Sequence, residues 1–202
     1  YYLIVSQKKQ KQKQNQKHNV VSLDPGMRTF QTFYSPDGIV GKLGHNFADE
    51  KLLPLGKRID NLTSIRSKCK KYKTRSNLRK RMALLRTKIK NITSNLHWKT
   101  IKFLCDNFKT ILLPTFETKK MSHKIKRCIT SKTTRMLLSL SHYKFKQKLL
   151  YMGSKRGNRV IIVNEAFTTK TCGKCGEINQ NIGAKKIFKC NKCGICVDRD
   201  IN

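Results

Sequence analysis

Four cysteines near the carboxyl end of the chain constrain its fold more than any other feature. They form two pairs, Cys172-x-x-Cys175 and Cys190-x-x-Cys193, separated by fourteen residues. Pairs with this spacing form two tight knuckles, and the four thiolates of such knuckles can surround one Zn²⁺ ion tetrahedrally. A closed shell of four sulfurs leaves no position for a substrate. The predicted zinc is therefore structural, and it stabilises a module too small for a large core.

The four remaining cysteines do not share this spacing. Cys196 could replace Cys193 as a ligand, although the spacing of the pair favours Cys193 and predicts that Cys196 is a small core residue. Cys69, Cys105 and Cys128 are scattered and are expected to be buried apolar residues. Eight cysteines without a recognisable export signal indicate an intracellular, reducing compartment, where clustered cysteines hold metal more often than disulfides.

The charge of the chain indicates its class of partner. Its 45 Lys and Arg residues stand against 11 Asp and Glu, a formal net charge of +34. Residues 51–110 contain 18 basic residues and two acids, and residues 121–159 contain eleven basic residues and no acid. Such a surface repels itself unless a polyanion neutralises it, so DNA or RNA is the expected partner. No apolar run approaches the ~20 residues of a membrane-spanning helix. A basic protein bound to a membrane surface or to the ribosome would also carry such a charge and remains an alternative.

The first half of the chain predicts strands followed by two long helices. Predicted strands cover residues 2–5, 20–23, 29–34 and 39–43, and a Lys/Gln-rich run at 7–17 separates the first two. Two apolar stripes with helical spacing then follow: Leu55, Ile59, Leu62, Ile65, Cys69 and Tyr72, and after them Leu78, Met82, Leu85, Ile89, Ile92 and Leu96. These stripes predict an antiparallel helical pair joined near Thr74–Asn77, with basic outer faces suited to a nucleic-acid backbone.

The second half predicts two more strands around a helix. Residues 110–116 and 159–163 read as buried strands, and residues 131–152 read as one helix. The complete order is three strands, helices, a strand, a helix and a strand, followed by the cysteine module. This order predicts an α/β fold with a mixed sheet.

Acidic residues are scarce in this chain, and several follow predicted strands. Asp24 ends one strand, Glu117 follows another, and Asp198 and Asp200 come after the cysteine module. Carboxylates at matching ends of neighbouring strands can bind two Mg²⁺ ions about 4 Å apart, an arrangement that cleaves phosphodiesters. Spacing alone supports this interpretation only weakly, because many α/β proteins have acids at strand ends.

Four segments of the chain carry recognisable motifs: SLDPGMRTFQTFYSPDG (22–38), ILLPTFETKKM (111–121), KTTRMLLSLSHYKFKQKL (132–149) and residues 164–202. Together they resemble the transposon-associated, RNA-guided nucleases TnpB and Fanzor. The first two are similar to the first and second RuvC motifs of that family, the third resembles the helix after the second motif, and the fourth resembles a zinc ribbon that runs into the third motif. The eukaryotic and viral Fanzor branch is the more similar one.

This resemblance implies an RNase H-like (RuvC) fold that binds Mg²⁺, a guide RNA and a target DNA. By motif, Asp24, Glu117 and Asp200 are the three catalytic, magnesium-binding acids. Asp200 is preferred to Asp198 because the family's third acid stands two residues before an Asn, as in Asp200-Ile201-Asn202. The helical pair at 49–108 takes the place of the family's insertion between its first two motifs.

The expected organisation follows from these matches. Residues 1–18 are a residual strand and loop, 19–163 the nuclease core, 164–197 the zinc ribbon, and 198–202 the start of the third motif. The expected function is that of an RNA-guided, Mg²⁺-dependent DNA endonuclease, represented here by a fragment without most of the family's N-terminal recognition region. The alternative is a decayed, non-catalytic zinc-ribbon protein that binds nucleic acid. In a eukaryotic or viral host, the nucleus is the expected location.

Overall fold

The computed structural model describes residues 17–122, 129–164, 170–179 and 187–198. The chain divides into two compact units, Tyr1–Val163 and Asn164–Asn202. The predicted strand at 2–5 and nearly all of the Lys/Gln-rich run lie outside the described residues. Within the described residues, no helix has the length and apolar character that crossing a membrane requires.

A mixed five-stranded sheet forms the centre of the larger unit. Its strands β1 (His18–Pro25), β2 (Thr29–Ser35), β3 (Ile39–His45), β4 (Phe108–Pro114) and β5 (Arg159–Val163) have the spatial order β3-β2-β1-β4-β5. β1, β2 and β3 form an antiparallel meander, whereas β4 and β5 run parallel to β1. The strands predicted at 20–23, 29–34, 39–43, 110–116 and 159–163 are thus confirmed, with β1 and β4 each starting two residues earlier than expected.

The helical pair follows β3, and its junction differs from the prediction. A short π-helical turn (Ala48–Leu52) leads into α1 (Leu53–Lys68), and α2 (Tyr72–Asn107) follows after three residues. The predicted junction near Thr74–Asn77 is wrong, because the backbone becomes extended at Cys69 and Lys71 instead. No proline or glycine marks that break in the sequence, so the pattern carried no signal for it.

The two helices are antiparallel, as predicted. Thr63 of α1 contacts Met82 of α2 at 3.3 Å, and earlier residues of α1 lie beside later residues of α2. The second apolar stripe is buried or half-buried throughout. The first stripe is shorter than predicted, because Ile65 and Tyr72 are 54% and 86% exposed.

A single hydrophobic core joins the helices to one face of the sheet. Residues at alternate positions of β1 and β4, among them Val21, Leu23 and Ile111, belong to one core with Leu104 of α2 and Phe145. The helix predicted at 131–152 is two helices, α4 (Ser131–Leu140) and α5 (His142–Arg156), because Ser141 adopts the left-handed conformation with φ 52°. The resulting bend lets Leu140 and Phe145 both reach the core.

Scarce acids connect the helices at the edge of this core. Asp60 of α1 pairs with Arg135 of α4, Asp106 of α2 pairs with Arg156 of α5, and Asp49 lies 3.8 Å from Lys132. The exposed pairs, such as Asp60–Arg135, contribute at most about 1 kcal/mol each. Their larger effect is to neutralise positive charge where basic helices approach one another.

Two histidines lie inside this core. The rings of His97 and His142 stack on Phe30, with centroid distances of 5.3 and 5.0 Å. His97 Nε2 lies 2.8 Å from the carbonyl oxygen of Leu140. Burial lowers the pKa of each histidine to about 4, so both rings are neutral at pH 7.

We expect these histidines to make the larger unit acid-sensitive. Between pH 6.5 and about 4 the unfolded chain binds protons that the folded core excludes. The free energy of unfolding should therefore fall with decreasing pH by up to about 1.4 kcal/mol per pH unit for each histidine. Urea unfolding of the chain at several pH values measures this slope. A His142→Phe variant should have a shallower slope than the parent, and an equal slope would contradict the assignment.

Candidate acid site and cysteine cluster

Asp24 and Glu117 lie at one edge of the sheet. β1 and β4 are adjacent and parallel, with Ser22 beside Leu112. Continuing this register by two residues sets Asp24 beside Pro114, three residues before Glu117. Because parallel neighbours end at the same edge of a sheet, both acids follow from the strand geometry that the sequence predicted.

The two carboxylates have different local settings, although both are exposed. Asp24 alternates with the buried Leu23 and Pro25, so it belongs to the sheet face opposite the core. Glu117 is the first residue beyond the loop after β4, and its carbonyl oxygen accepts a hydrogen bond from the Met121 amide of the short helix α3 (Thr118–Ser122). Both acids take part in polar or ionic contacts within the protein.

The third predicted acid, Asp200, lies outside the described residues. Its alternative, Asp198, ends strand β7 (Cys196–Asp198), and its side chain is likewise not described. The described part of the site is therefore the pair Asp24 and Glu117. Carboxylate oxygens are the hard ligands that Mg²⁺ prefers, so the donor chemistry of this pair fits the ion that the sequence predicted.

A cavity of about 470 Å³ opens beside Glu117. Its wall is mostly apolar and includes Pro25, Leu113, Phe116 and Phe145, while Glu117 also borders it. Two buried polar side chains, Gln31 and His142, line the same cavity. Neither residue was predicted from the sequence to belong to the site. The available signal was that Gln31 occupies a core-facing position in the alternation of β2, between Thr29 and Phe33.

The four predicted zinc ligands converge in the smaller unit. The Sγ atoms of Cys172, Cys175, Cys190 and Cys193 all lie within 4.8 Å of one another, and the Cys172–Cys193 and Cys175–Cys190 distances are 3.6 Å. Zn–S bonds of about 2.3 Å place tetrahedral sulfurs about 3.8 Å apart. Among the described residues, this is the one group of three or more potential ligands with such spacing. The cluster could hold a zinc ion.

Two equivalent turns produce this convergence. In the first knuckle the Gly176 amide donates to the Cys172 carbonyl, and in the second the Gly194 amide donates to the Cys190 carbonyl. Both glycines have positive φ, 74° and 72°, a conformation that side chains disfavour. The Cys193 amide also donates to Cys190 Sγ at 3.5 Å, and this backbone hydrogen bond helps to lower the pKa of Cys190 to about 6. A thiolate is the form that binds metal.

The cysteines outside the cluster have mixed outcomes. Cys105 is fully buried, and burial raises its pKa to about 11, as expected of an inert core residue. Cys69 is half-buried and Cys128 lies outside the described residues. The prediction that Cys196 is a core residue is wrong. It is exposed, because the buried centre of the small sheet formed by β6 (Ile187–Lys189) and β7 is occupied by Phe188.

A basic cleft lies between α2 and the helices α4 and α5. Its volume is about 450 Å³, and its cationic residues are Arg86, Lys90, Lys144 and Lys148. Lys148 Nζ donates to Ser94 Oγ at 2.8 Å and lies 5.0 Å from the centre of the Trp98 ring. Burial, and then the neighbouring Lys144, lower the pKa of Lys148. Converging cations and hydroxyl groups of this kind are suited to a phosphate group.

Two curated relatives from a giant virus match nearly the whole chain. A putative transposase of Acanthamoeba polyphaga mimivirus is 36% identical over 183 residues, 89% of this chain and 37% of the relative. A TnpB-like protein of the same virus is 35% identical across 100% of this chain and 39% of the relative. The CRISPR-associated endodeoxyribonuclease Cas12f1 of Sulfoacidibacillus thermotolerans is 33% identical over 70 residues, 34% of this chain and 17% of that protein.

A family model and a solved structure agree with these relatives. The model of the Cas12f1-like TNB domain matches residues 142–202, which contain α5, β5 and the cysteine cluster. The solved structure of a CRISPR-Cas12f ternary complex matches 96% of this chain and 39% of that chain, with a TM-score of 0.57 and 15% identity. The chain spans about two fifths of the length of the first curated relatives that it matches. Over its whole length the chain is similar to TnpB-like proteins, a similarity that the motifs and the cysteine pairs of the sequence predicted.

Proposed function

We propose that this chain forms the nuclease part of an RNA-guided, Mg²⁺-dependent DNA endonuclease with an RNase H-like, RuvC-type active site. The observation that carries the proposal is the placement of Asp24 and Glu117 at the carboxyl edge of two adjacent parallel strands. The mixed sheet supports it, as does the similarity to TnpB-like proteins and to a protein named as an endodeoxyribonuclease. Asp200 is proposed as the third acid.

The proposed chemistry divides between the ions and the protein. Bound Mg²⁺ would supply the Lewis acidity that hydrolysis of a phosphodiester requires. Asp24 and Glu117 would hold it, because two carboxylates supply hard oxygens from two different elements. The sheet keeps Asp24 in a fixed register, and Glu117 is fixed by the loop that joins β4 to α3. The described acids thus come preorganised by main-chain hydrogen bonds.

The basic cleft is the proposed contact with the nucleic-acid backbone. Lys144 and Lys148 lie on consecutive turns of α5 and face Arg86 and Lys90 of α2. Four cations that line one cleft repel one another in the free protein, and a phosphate group relieves that repulsion. The cleft therefore concentrates part of the net charge of +34 at one place where a phosphate can bind.

We expect loss of the cleft cations to reduce the salt dependence of binding. In a Lys144→Gln/Lys148→Gln variant, the slope of log K against log [salt] for a DNA duplex should fall by about 1 for each lysine that contacts a phosphate. Fluorescence anisotropy from 50 to 300 mM salt measures this slope. The control, Lys109→Gln/Lys155→Gln, removes the same charge outside the cleft lining and should change the slope less. Equal slopes for both double variants would place the contact elsewhere.

A cleavage assay tests the proposed function itself. The chain, and a chimera in which it replaces the matching two fifths of the mimivirus TnpB-like protein, are incubated with guide RNA, target DNA and Mg²⁺. The unmodified relative is the positive control. Guide-dependent cleavage by the chimera, abolished by a chelator of divalent ions, is the expected result. Tight binding without cleavage would favour the non-catalytic binding module.

A further inference from the structure

We infer that the exposed face of α5 is a stacking platform for unpaired bases of a single nucleic-acid strand. Three side chains form this platform, namely Tyr143, Leu150 and Tyr151. The inference deepens the proposed function and rests on it in one respect, which is that the basic cleft beside this face binds a nucleic-acid backbone. It assigns what the bases of that strand contact.

The platform lies on the side of α5 that faces away from the core. The buried side of this helix consists of His142, Phe145, Leu149 and Gly153. At about 3.6 residues per turn, Tyr143, Leu150 and Tyr151 fall together on the other side. Within the described part of the chain the two tyrosines are 66% and 59% exposed, and Leu150 is exposed as well. A helix needs one apolar side for its own core, so a second one indicates an additional contact.

The ring of Tyr143 is held in place by the helix itself. Gln147 stands one turn further along α5, and its Nε2 donates a hydrogen bond to the Tyr143 hydroxyl oxygen at 3.1 Å. This bond restricts the rotation of the ring, so less conformational entropy is lost when a base stacks on it. Tyrosine suits the role because its flat ring offers a large contact area and has only two rotatable bonds.

The spacing of the two tyrosines fits a single strand. Tyr143 and Tyr151 stand eight residues apart, which is about 12 Å along the helix axis. Stacked nucleotides of one strand rise about 3.4 Å each, so this distance spans about three to four of them. Every base has a flat face, and stacking on an aromatic side chain raises affinity about fivefold or more per base. In a duplex the neighbouring bases already cover those faces, so the platform favours an unpaired strand.

The charge around the platform identifies its occupant. α5 carries five cations and no acid, and the whole segment 121–159 contains no acid. A second copy of this chain has the same net charge of +34 and would be repelled from this face. A nucleic-acid strand instead brings one negative charge per nucleotide together with flat apolar groups. The combination of exposed rings and cations therefore fits a single strand rather than another copy.

The platform lies between the two sites already described. Lys144 lines the basic cleft, while its neighbour Tyr143 borders the cavity beside Glu117. A strand whose phosphates lie in the cleft can therefore place its bases on α5 and continue toward Glu117. The platform is thus a positioning surface that holds bases, and the proposed chemistry stays with the acids.

Binding of labelled oligonucleotides to the 202-residue chain tests the inference. The probes are a single-stranded dT dodecamer and an abasic dodecamer, which carry equal numbers of phosphates, and no divalent ion is added. The parent should bind the dT probe at least about tenfold more tightly than the abasic probe. In Tyr143→Leu/Tyr151→Leu, which keeps apolar side chains but removes both rings, this ratio should fall at least about fivefold. Fluorescence anisotropy measures both affinities, and their ratio should not change with salt, because the phosphate contributions cancel.

Two control variants locate the effect. Tyr143→Phe/Tyr151→Phe keeps both rings and should keep the ratio of the two affinities. Tyr72→Leu removes the 86% exposed tyrosine from the first turn of α2 and should keep the ratio as well. All of these positions are exposed, so the melting temperatures of the variants should match that of the parent.

Several outcomes would overturn the inference. Equal binding of the two probes by the parent would do so, as would an unchanged ratio in the leucine double variant. A loss of equal size in Tyr72→Leu would place the stacking outside α5. A free parent chain that is dimeric, and monomeric in the leucine variant, would assign the face to a second copy. Cleavage by the chimera is read separately, so a base-dependent ratio without cleavage rejects only the nuclease, and cleavage without that ratio rejects only the platform.

Discussion

Replacing Asp24 by asparagine should abolish DNA cleavage and leave DNA binding intact. Asparagine keeps the shape of the side chain at the end of β1, so the sheet and its core remain unchanged. It removes a negative charge from the proposed Mg²⁺ site, and loss of one such electrostatic contact lowers rates by about 10²–10³-fold or more. Affinity should hold or rise slightly, because the net charge becomes more positive. Single-turnover cleavage and anisotropy of the same chimera measure both quantities.

The chain offers a matched control for this experiment. Asp37 is also an acid on the meander, it lies in the turn between β2 and β3, and its carboxylate is 2.9 Å from His18. Asp37→Asn makes the same change of charge away from the carboxyl edge of β1 and should retain cleavage. Glu117→Gln should behave like Asp24→Asn. If the Asp24 variant cuts as fast as the parent, the active site lies elsewhere.

Replacing Cys190 by serine should release zinc and unfold the smaller unit. The described parts of this unit have a core of only Cys172, Phe188, Cys190 and a few half-buried neighbours. Such a core contributes little, whereas structural zinc supplies on the order of 10 kcal/mol. We expect about one zinc per parent chain and none in the variant. Metal analysis under reducing conditions and the dispersion of amide NMR signals from residues 170–198 measure the two effects.

Cys196 provides the control and also decides the choice of ligand. It lies on β7 in the same unit but is exposed and outside the cluster of four sulfurs. Cys196→Ser should therefore keep its zinc and its folded spectrum. A result in which Cys196→Ser loses the metal while Cys193→Ser keeps it would exchange the two residues as ligands. A parent chain with a Cys172–Cys175 disulfide and no metal would reject the zinc assignment.

Apolar stripes located α1 and α2 correctly, because burial of one helical face imposes its period on the sequence. They did not locate the break at Cys69–Lys71, where no glycine or proline stands. They also joined α4 and α5 into one helix, because Ser141 interrupts the helix without interrupting the apolar period. The apolar period indicates which face of a helix is buried. A backbone break that keeps the same face buried does not change this period, so the sequence pattern does not reveal it.

The sequence by itself determined the cysteine cluster, the strands, and the edge at which Asp24 and Glu117 lie. These features depend on local spacing and on the alternation of apolar residues, and both can be recognised in the sequence. Only the tertiary structure decided that Gln31 is buried beside Pro25, that His97 and His142 stack on one phenylalanine, and that lysines of α5 face cations of α2. The histidine and lysine contacts join residues far apart in sequence, and their side chains meet because the sheet and the helices share one core.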